Sequence, residues 1–453
     1  MVNISDFFND MFVQYAVYDS YRSVGSYVDG LKPSSRKVVY TVLKYNIVDK
    51  IKVSQLGSKV SETTQYLHGE DSIFGVISNL ARSYTGSNNL NLLVPDANFG
   101  SRYVQEPGAP RYIYTRKTKY LDLIYDKRDE DLLTPQIFEG DIIEPKSYYP
   151  IIPMILINGS EGIGTGFAQR ILPRNHFKII ALLKKCLSEN RKPSPEECTE
   201  ALAVWYNGFS GEIKQVEEKS WDIFGVIERK SPVLVEIHEI PIGYDLKGYR
   251  NVLSTLEEKK EIRKYEDLSD GIKDTFRFNV TLNKEDGKLE DLEILRKLKL
   301  ISRVTENYTC ISEDNEVIEF KTSMEIFSRY LEIRLGKYEE RRQNLIKILK
   351  GLLEIYENKC RFIKEVVNNS ITFKNKKTEE LEKELLEKNY AKDNQDSFKY
   401  LLSIQVFLLT EDKIRDLEKL IEEKKKELKF LEESKPEELW ILDLENLEKN
   451  LKL

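Results

Sequence analysis

The residues best placed to do chemistry lie between Gly108 and Arg116, Gly-Ala-Pro-Arg-Tyr-Ile-Tyr-Thr-Arg. A tyrosine hydroxyl, with a pKa near ~10, attacks nothing at neutral pH unless a cation favours the phenolate. Arg111, next to Tyr112, can be that cation. The Tyr-Ile-Tyr alternation predicts a strand from Tyr112 to Thr115, with both tyrosines on one face and Arg111 and Ile113 on the other. Taken alone, that alternation describes an ordinary half-buried strand. Its surroundings argue otherwise: Arg102, Arg111, Arg116, Lys117 and Lys119 fall between Ser101 and Tyr120 against a single acid, Glu106. A basic excess of this kind suits a polyanion.

Two further stretches accompany it. Lys32 to Lys59 holds seven basic residues and one acid, Asp49, and Ser34 there is a candidate cap for a helix carrying Arg36 and Lys37 in its first turn. Two short helices, Val53–Thr63 and Glu70–Arg82, are then separated by Thr64-Gln-Tyr-Leu-His68-Gly69, which predicts a helix-turn-helix. Short strands over 88–95, 101–104 and 112–115 would complete a wing. Finally, Ser147 to Phe167 reads as a continuous apolar strand entering a loop with Gly159, Gly162, Gly164 and Gly166, from which Ile163 projects. The glycine spacing fits neither a dinucleotide fingerprint nor a P-loop. It is compatible with a platform that lets backbone approach DNA and uses Ile163 as an apolar wedge, or with a tight packing turn.

Six motifs, in this order and spacing, resemble one known family. They are Lys-Pro-x-x-Arg-Lys-Val from Lys32, Tyr-x-His-Gly-Glu-x-Ser from Tyr66, Gly-Ser-Asn-Asn-x-Asn-Leu-Leu from Gly86, Asn-Phe-Gly-Ser-Arg from Asn98, Ala-Pro-Arg-Tyr-Ile-Tyr-Thr from Ala109, and Asn-Gly-x-Glu-Gly-Ile-Gly-Thr-Gly from Asn158. Together they resemble the breakage-reunion part of type IIA DNA topoisomerases. Within that family they are most like the tyrosine half of the eukaryotic enzyme and the free-standing medium subunit of T-even-type phages, rather than bacterial gyrase A. The resemblance implies that Tyr112 forms a transient bond to a DNA 5′ phosphate while Arg111 holds a non-bridging oxygen. It implies DNA contacts for Arg22, Lys32, Arg36, Lys37 and His68, and intercalation by Ile163. It further implies double-stranded DNA as substrate, and a homodimer closed through a DNA gate and a C-gate. Mg²⁺ and ATP would be bound by a separate ATPase and metal-binding subunit, because the chain has no Walker-type loop and no Asp-x-Asp-x-Asp cluster. The setting would be cytoplasmic, that of the bacterial host if the protein is phage-encoded.

Composition bounds the rest. A chain of 453 residues exceeds one ordinary core. Its net charge of −6 and pI of about 5.6 exclude a general nucleic-acid coat but not a local site. Four scattered cysteines and three histidines offer no metal-ligand spacing, and no signal or membrane-spanning stretch is evident. The expected fold is mixed α/β, mainly helical and multidomain. A helical arm would occupy residues 1–30, a winged-helix catalytic domain 31–170, and an α/β region 171–322, which the resemblance implies is a tower. A long antiparallel coiled coil would be built from 323–371 and 408–453, with a small globular tip over 372–407, which the resemblance implies is an exit gate. A non-enzymatic DNA-bridging protein, in which Tyr112 only stacks, is the main alternative. A tyrosine recombinase is disfavoured because no His is followed by Arg at His-x-x-Arg spacing.

Overall fold

Helix boundaries in the computed structural model follow local chemistry. Residues 4–271, 275–373, 376–392, 396–405 and 409–452 are described; the expected tip and second coiled-coil segment therefore meet, at Phe407 and Leu408, outside them. The chain starts with a short turn α1 (Ile4–Asp6), a π-helical turn over 7–12, and α2 (Val13–Ser23). Helix α3 (Pro33–Lys44) is capped at Lys32, not Ser34, because Pro33 at its first position presets a helical φ and needs no N–H partner. Strand β1 (Ile51–Lys52) leads into α4 (Val53–Thr64), which stops where Gln65 turns left-handed, at φ 50°. Glu70 and Asp71 then open α5 (Glu70–Ala81), favourably placed against the helix dipole.

The expected three-strand wing is much smaller. Only β2 (Tyr114–Thr115) is a strand, paired antiparallel with β1, and isolated bridges tie Leu93 to Lys117 and Asp96 to Tyr114. After a short helix α6 (Leu121–Ile124) and a hairpin of β3 (Ile137–Phe138) and β4 (Asp141–Ile142) comes a second difference. The apolar run read as a strand is a helix, α7 (Met154–Asn158), its four apolar residues all buried. A run apolar on every side carries no period, so helix and strand are indistinguishable there from sequence. Gly159 ends it at φ 71°, where an added Cβ would lie 2.3 Å from the Ile171 carbonyl oxygen. The glycine loop itself is a hairpin of β5 (Ser160–Ile163) and β6 (Ala168–Ile171).

Beyond it, Asn175 caps α8 (His176–Ser188), and a Ser194–Glu197 capping box opens α9 (Pro195–Ala201). Two antiparallel sheets follow. One has the order β13-β8-β7, from β7 (Ile213–Glu217), β8 (Ser220–Phe224) and β13 (Ile301–Thr305). The other runs β11-β12-β10-β9, from β9 (Val226–Ser231), β10 (Leu234–Glu239), β11 (Ile262–Asp267) and β12 (Phe278–Leu282). Helices α10 (Leu246–Glu258) and α11 (Asp291–Lys297) bury Tyr249, Leu253 and Ile294 with Val235, Ile237 and Phe278 of the second sheet. The hairpin β14 (Thr309–Ile311) and β15 (Val317–Glu319) precedes the 45-residue helix α12 (Ser323–Val367).

Two compact units result, Met1–Arg334 with Trp440–Leu453, and Leu335–Leu439. In the second, α12 runs antiparallel to α15 (Glu411–Glu433). Arg342 donates to the Leu431 carbonyl at 3.2 Å, Glu357 pairs with Lys425 at 2.6 Å and Lys364 with Glu418 at 2.6 Å. The apolar seam passes through Leu349, Leu353, Cys360 and Ile363. Helices α13 (Thr378–Glu387) and α14 (Lys399–Leu402) bury Leu385 and Leu401 against Phe362 and Tyr390. The terminal helix α16 (Pro436–Leu451) does not continue the pair as expected. It belongs to the first unit, where Trp440 is fully buried and donates its indole N–H to the Ile151 carbonyl at 2.9 Å. No helix among the described residues is long and apolar enough to cross a membrane.

Candidate active site

The Tyr112 loop is tied to the start of a helix. Val53 and Ser54, the first residues of α4, donate their N–H groups to the carbonyls of Ile113 at 3.0 Å and Pro110 at 3.1 Å. The loop thereby satisfies two of the helix's four unpaired donors. Pro110 to Tyr112 form a turn closed by the Tyr112 N–H on the Ala109 carbonyl at 2.9 Å. Ile113 is buried behind it, so the in-and-out alternation begins at Ile113 and not at Tyr112. Tyr112 is 71% exposed, and the guanidinium carbon of Arg111 lies 5.9 Å from the centre of its ring. The expectation that Arg111 and Tyr112 take opposite faces is therefore corrected: a turn, not a strand, sets them side by side.

The basic excess around them is smaller than the sequence implied. Arg102 is buried on Glu239 at 2.5 Å, and Lys117 is paired with Asp122. Arg111, Arg116 and Lys119 remain exposed. Carboxylates that could hold a divalent ion near Tyr112 are absent from its loop, and Asp96, bridged to Tyr114, is committed to Lys50 at 2.5 Å. Among the described residues the acidic group with ligand geometry is Glu228, Glu236 and His238 on β9 and β10, already neutralised by Lys230 and Arg277. The residues around Tyr112 do not fit a metal site.

Three of the other expected residues meet in a cavity of about 280 Å³ between α2, α3 and the turn after α4, lined by Arg22, Lys37 and His68 with Tyr18, Tyr21 and Glu144. The His68 Nε2 lies 3.3 Å from the Tyr18 hydroxyl, and its ring packs edge-on to Tyr66 at 5.3 Å. Burial, then Arg22, then Lys37 lower the His68 pKa, so at neutral pH the ring is uncharged and offers one N–H. Lys37 donates to Glu144 at 2.9 Å and to the Thr64 carbonyl at 2.8 Å. Burial raises the pKa of Glu144 against the opposing pull of Lys37.

The remaining three behave differently. Arg36 is 2% exposed and donates to both oxygens of Asp29, at 2.7 and 3.2 Å. The expected phosphate contact for Arg36 finds no exposed guanidinium in the free chain, because α3 turns that side chain inward onto Asp29. Lys32 donates to the Glu161 carbonyl at 2.7 Å, with burial lowering its pKa. Ile163, at the end of β5, is 82% exposed.

Comparison with known proteins bears on this geometry. The family model describing the A-type subunit of DNA gyrase/topoisomerase IV matches residues 22–445. The chain belongs to that family. It is 30% identical to DNA topoisomerase 2, mitochondrial, of Dictyostelium discoideum, over 100% of this chain and 35% of that protein. It is 31% identical to DNA topoisomerase 2 of Saccharomyces cerevisiae, over 88% of this chain and 28% of that protein. It is 30% identical to DNA topoisomerase 2 of Invertebrate iridescent virus 6, over 99% and 39%. The chain thus spans about a third of the length of these relatives. The crystal structure of the Plasmodium falciparum topoisomerase II DNA-binding, cleavage and re-ligation domain superposes with a TM-score of 0.89 at 31% identity, covering 99% of this chain and 64% of that one.

In this topoisomerase fold, α4 separates the two groups of site residues. Ser54 anchors the Tyr112 loop and Thr64 binds Lys37, ten residues apart, or roughly 15 Å along the axis. Sequence reading missed Tyr18, Glu144 and Asp29. Tyr18 was findable, since it stands four residues before Arg22 and so shares its helix face; Glu144 and Asp29 carry no local pattern.

Proposed function

We propose that this chain is the DNA-cleaving and rejoining part of a type IIA topoisomerase, with Tyr112 as nucleophile. The observation that carries this is an exposed phenol held beside a guanidinium on a loop fixed to a helix start. The Tyr112 oxygen attacks a backbone phosphorus and a 5′-phosphotyrosyl bond forms. The bond to the 3′ oxygen breaks, and the phenolic proton passes by way of water to the departing 3′ hydroxyl. Arg111 steadies the charge that gathers on the phosphoryl oxygens. Rejoining is the same step reversed and needs no external energy.

Arg22, Lys37 and His68 are proposed to seat a neighbouring phosphate in their cavity, Ile163 to wedge between base steps, and Lys32 to hold the Ile163 hairpin. Because α4 keeps Tyr112 away from that cavity, we propose a homodimer in which the two groups converge across a twofold axis at the DNA gate. The α3–α5 helices with β1 and β2 act as the winged-helix head, residues 171–322 as the tower, and the α12–α15 pair as a coiled coil ending in an exit-gate tip. Type II topoisomerases use Mg²⁺ and ATP; the residues for both are proposed to lie outside these 453, on the polypeptide that carries the ATPase and metal-binding domains.

The test is to denature the chain on duplex DNA in the presence of Mg²⁺ and that polypeptide, and to map the modified residue. Covalent adduct on Tyr112, abolished in Tyr112→Phe while DNA binding is retained, is the expected result. An adduct surviving in the Phe variant would refute the assignment, and identical behaviour of both proteins without any adduct would favour a DNA-bridging role.

A further inference from the structure

The hairpin that carries Ile163 is seated on α2. In its turn the Thr165 hydroxyl donates to Asp19 Oδ2 at 2.8 Å, and the Ser20 hydroxyl donates to the Thr165 carbonyl at 3.4 Å. At its base Lys32 donates to the Glu161 carbonyl at 2.7 Å. Between these bonds the two backbones pack directly. An added Cβ on Gly162 would come within 2.0 Å of the Ser23 carbonyl oxygen, and one on Gly164 within 2.9 Å of Ser20 Cα. Two of the loop's glycines therefore serve close packing against α2. Behind the hairpin, the Gln169 side chain accepts from the Gly25 N–H at 2.8 Å and donates to the Gly25 carbonyl at 3.1 Å, fixing β6 to the end of the same helix.

That helix has a second duty. Tyr18, Tyr21 and Arg22 of α2 line the cavity that holds Lys37 and His68. Asp19 stands one residue from Tyr18 and three from Arg22, within a single helical turn. A load applied at the tip, where Ile163 is 82% exposed and Phe167 39%, reaches that turn through a hydrogen bond whose acceptor is charged, the stronger kind.

We propose that Asp19 and Thr165 are positioning residues that couple insertion of Ile163 to the placement of Arg22 in the phosphate cavity, so that a bent duplex seats its phosphate better than a straight one. This rests on the reading of Ile163 as a wedge. Neither residue touches the reacting atoms. Their effect is conditional on how much the DNA resists bending, and that separates coupling from plain structural support.

The experiment uses the full chain with the metal-bearing polypeptide and an end-labelled duplex on the order of 30 base pairs, reading bend by fluorescence transfer and adduct by denaturation. Thr165→Val is expected to lower adduct on intact duplex about tenfold, the equivalent of one charge-assisted hydrogen bond. Thr165→Ser, which keeps the hydroxyl, is expected to match the parent. A duplex with a mismatch at the wedge step, already easy to kink, is expected to return Thr165→Val to within about twofold of the parent. Parent-like adduct from Thr165→Val on intact duplex, or an equal loss on both duplexes, overturns the coupling. Ile163→Ala separates the two layers: if it bends and cleaves like the parent, the wedge reading itself fails, whereas if it loses bending and adduct while Thr165→Val keeps parent-like adduct on intact duplex, only the coupling fails.

Discussion

Replacing Arg36 by Met tests whether a basic residue of the Lys-Pro-x-x-Arg-Lys motif works on DNA or inside the protein. The change removes a guanidinium that bonds Asp29 at 2.7 and 3.2 Å and the Leu31 carbonyl at 3.4 Å. Asp29 would keep the Leu31 N–H at 3.0 Å and the Tyr148 N–H at 3.1 Å, but as a fully buried carboxylate without that countercharge. Breaking a buried pair costs about 3–5 kcal/mol, and the two surviving backbone donors place this case near 3. The surrounding unit is Met1–Arg334 with Trp440–Leu453; at that size each kcal/mol moves the melting temperature by ~2 °C, giving a fall of roughly 6 °C. Adding Asp29→Asn is expected to recover much of the loss, because no charge is then stranded. The assay pairs thermal unfolding with DNA affinity measured against salt at a temperature where both proteins are folded. A phosphate contact contributes about 0.9 to the slope of log affinity against log salt. The expected result is a lower melting temperature with an unchanged slope. A slope reduced by about one with an unchanged melting temperature would refute the buried-strut account and restore Arg36 to the DNA surface.

Two other measurements follow from the histidines. Burial lowers the pKa of His176 to about 4, and its Nδ1 has no hydrogen-bond partner. The unfolded chain takes up that proton near pH 6.5, so stability present above pH 6.5 is lost as pH falls towards 4, by roughly 3 kcal/mol. His176→Phe, read by denaturant unfolding at neutral and acid pH, is expected to flatten that acid loss; an unaltered acid loss would refute it. For His68, Arg22 is one of the causes that lower the pKa, so Arg22→Gln is expected to raise the titration midpoint of its ring protons in NMR. A midpoint unchanged or lower would show that Arg22 does not face the ring.

Where the sequence has a clear period or cap, the elements were readable. Val53–Thr64, Glu70–Ala81 and the start of the long helix at Ser323 follow from spacing, and Thr410 caps α15 by accepting from the Lys413 N–H at 3.3 Å. Where side chains are apolar on all sides, as at Met154–Asn158, period gave no guidance and the wrong element was expected. The site was half legible for a similar reason. Residue type and motif position pick out Tyr112, Arg22, Lys37 and His68, but whether a cation meets solvent or a carboxylate depends on partners distant in sequence. Asp29 claims Arg36, and Glu239, 137 residues away, claims Arg102. Charge counts over a window cannot see such pairings.

The division of labour along α4 has a consequence for control of the chemistry. The anchor points on α4, Ser54 for the Tyr112 loop and Thr64 for Lys37, lie roughly 15 Å apart along the helix, so on the proposed reading each chain alone holds half a site: Tyr112 and Arg111 at one end, and the Arg22, Lys37 and His68 cavity at the other. On the proposed assembly, two copies around one duplex complete both sites together, so a break in one strand is made only where the opposite strand is also engaged. The α2 contact with the Ile163 hairpin then adds a second condition, that the duplex be bent. The first rests on the bonds that tie the Tyr112 loop and Lys37 to α4, the second on the Thr165–Asp19 hydrogen bond and the glycine packing between the hairpin and α2. On this view, the elements that look purely structural in the free chain decide when Tyr112 is allowed to react.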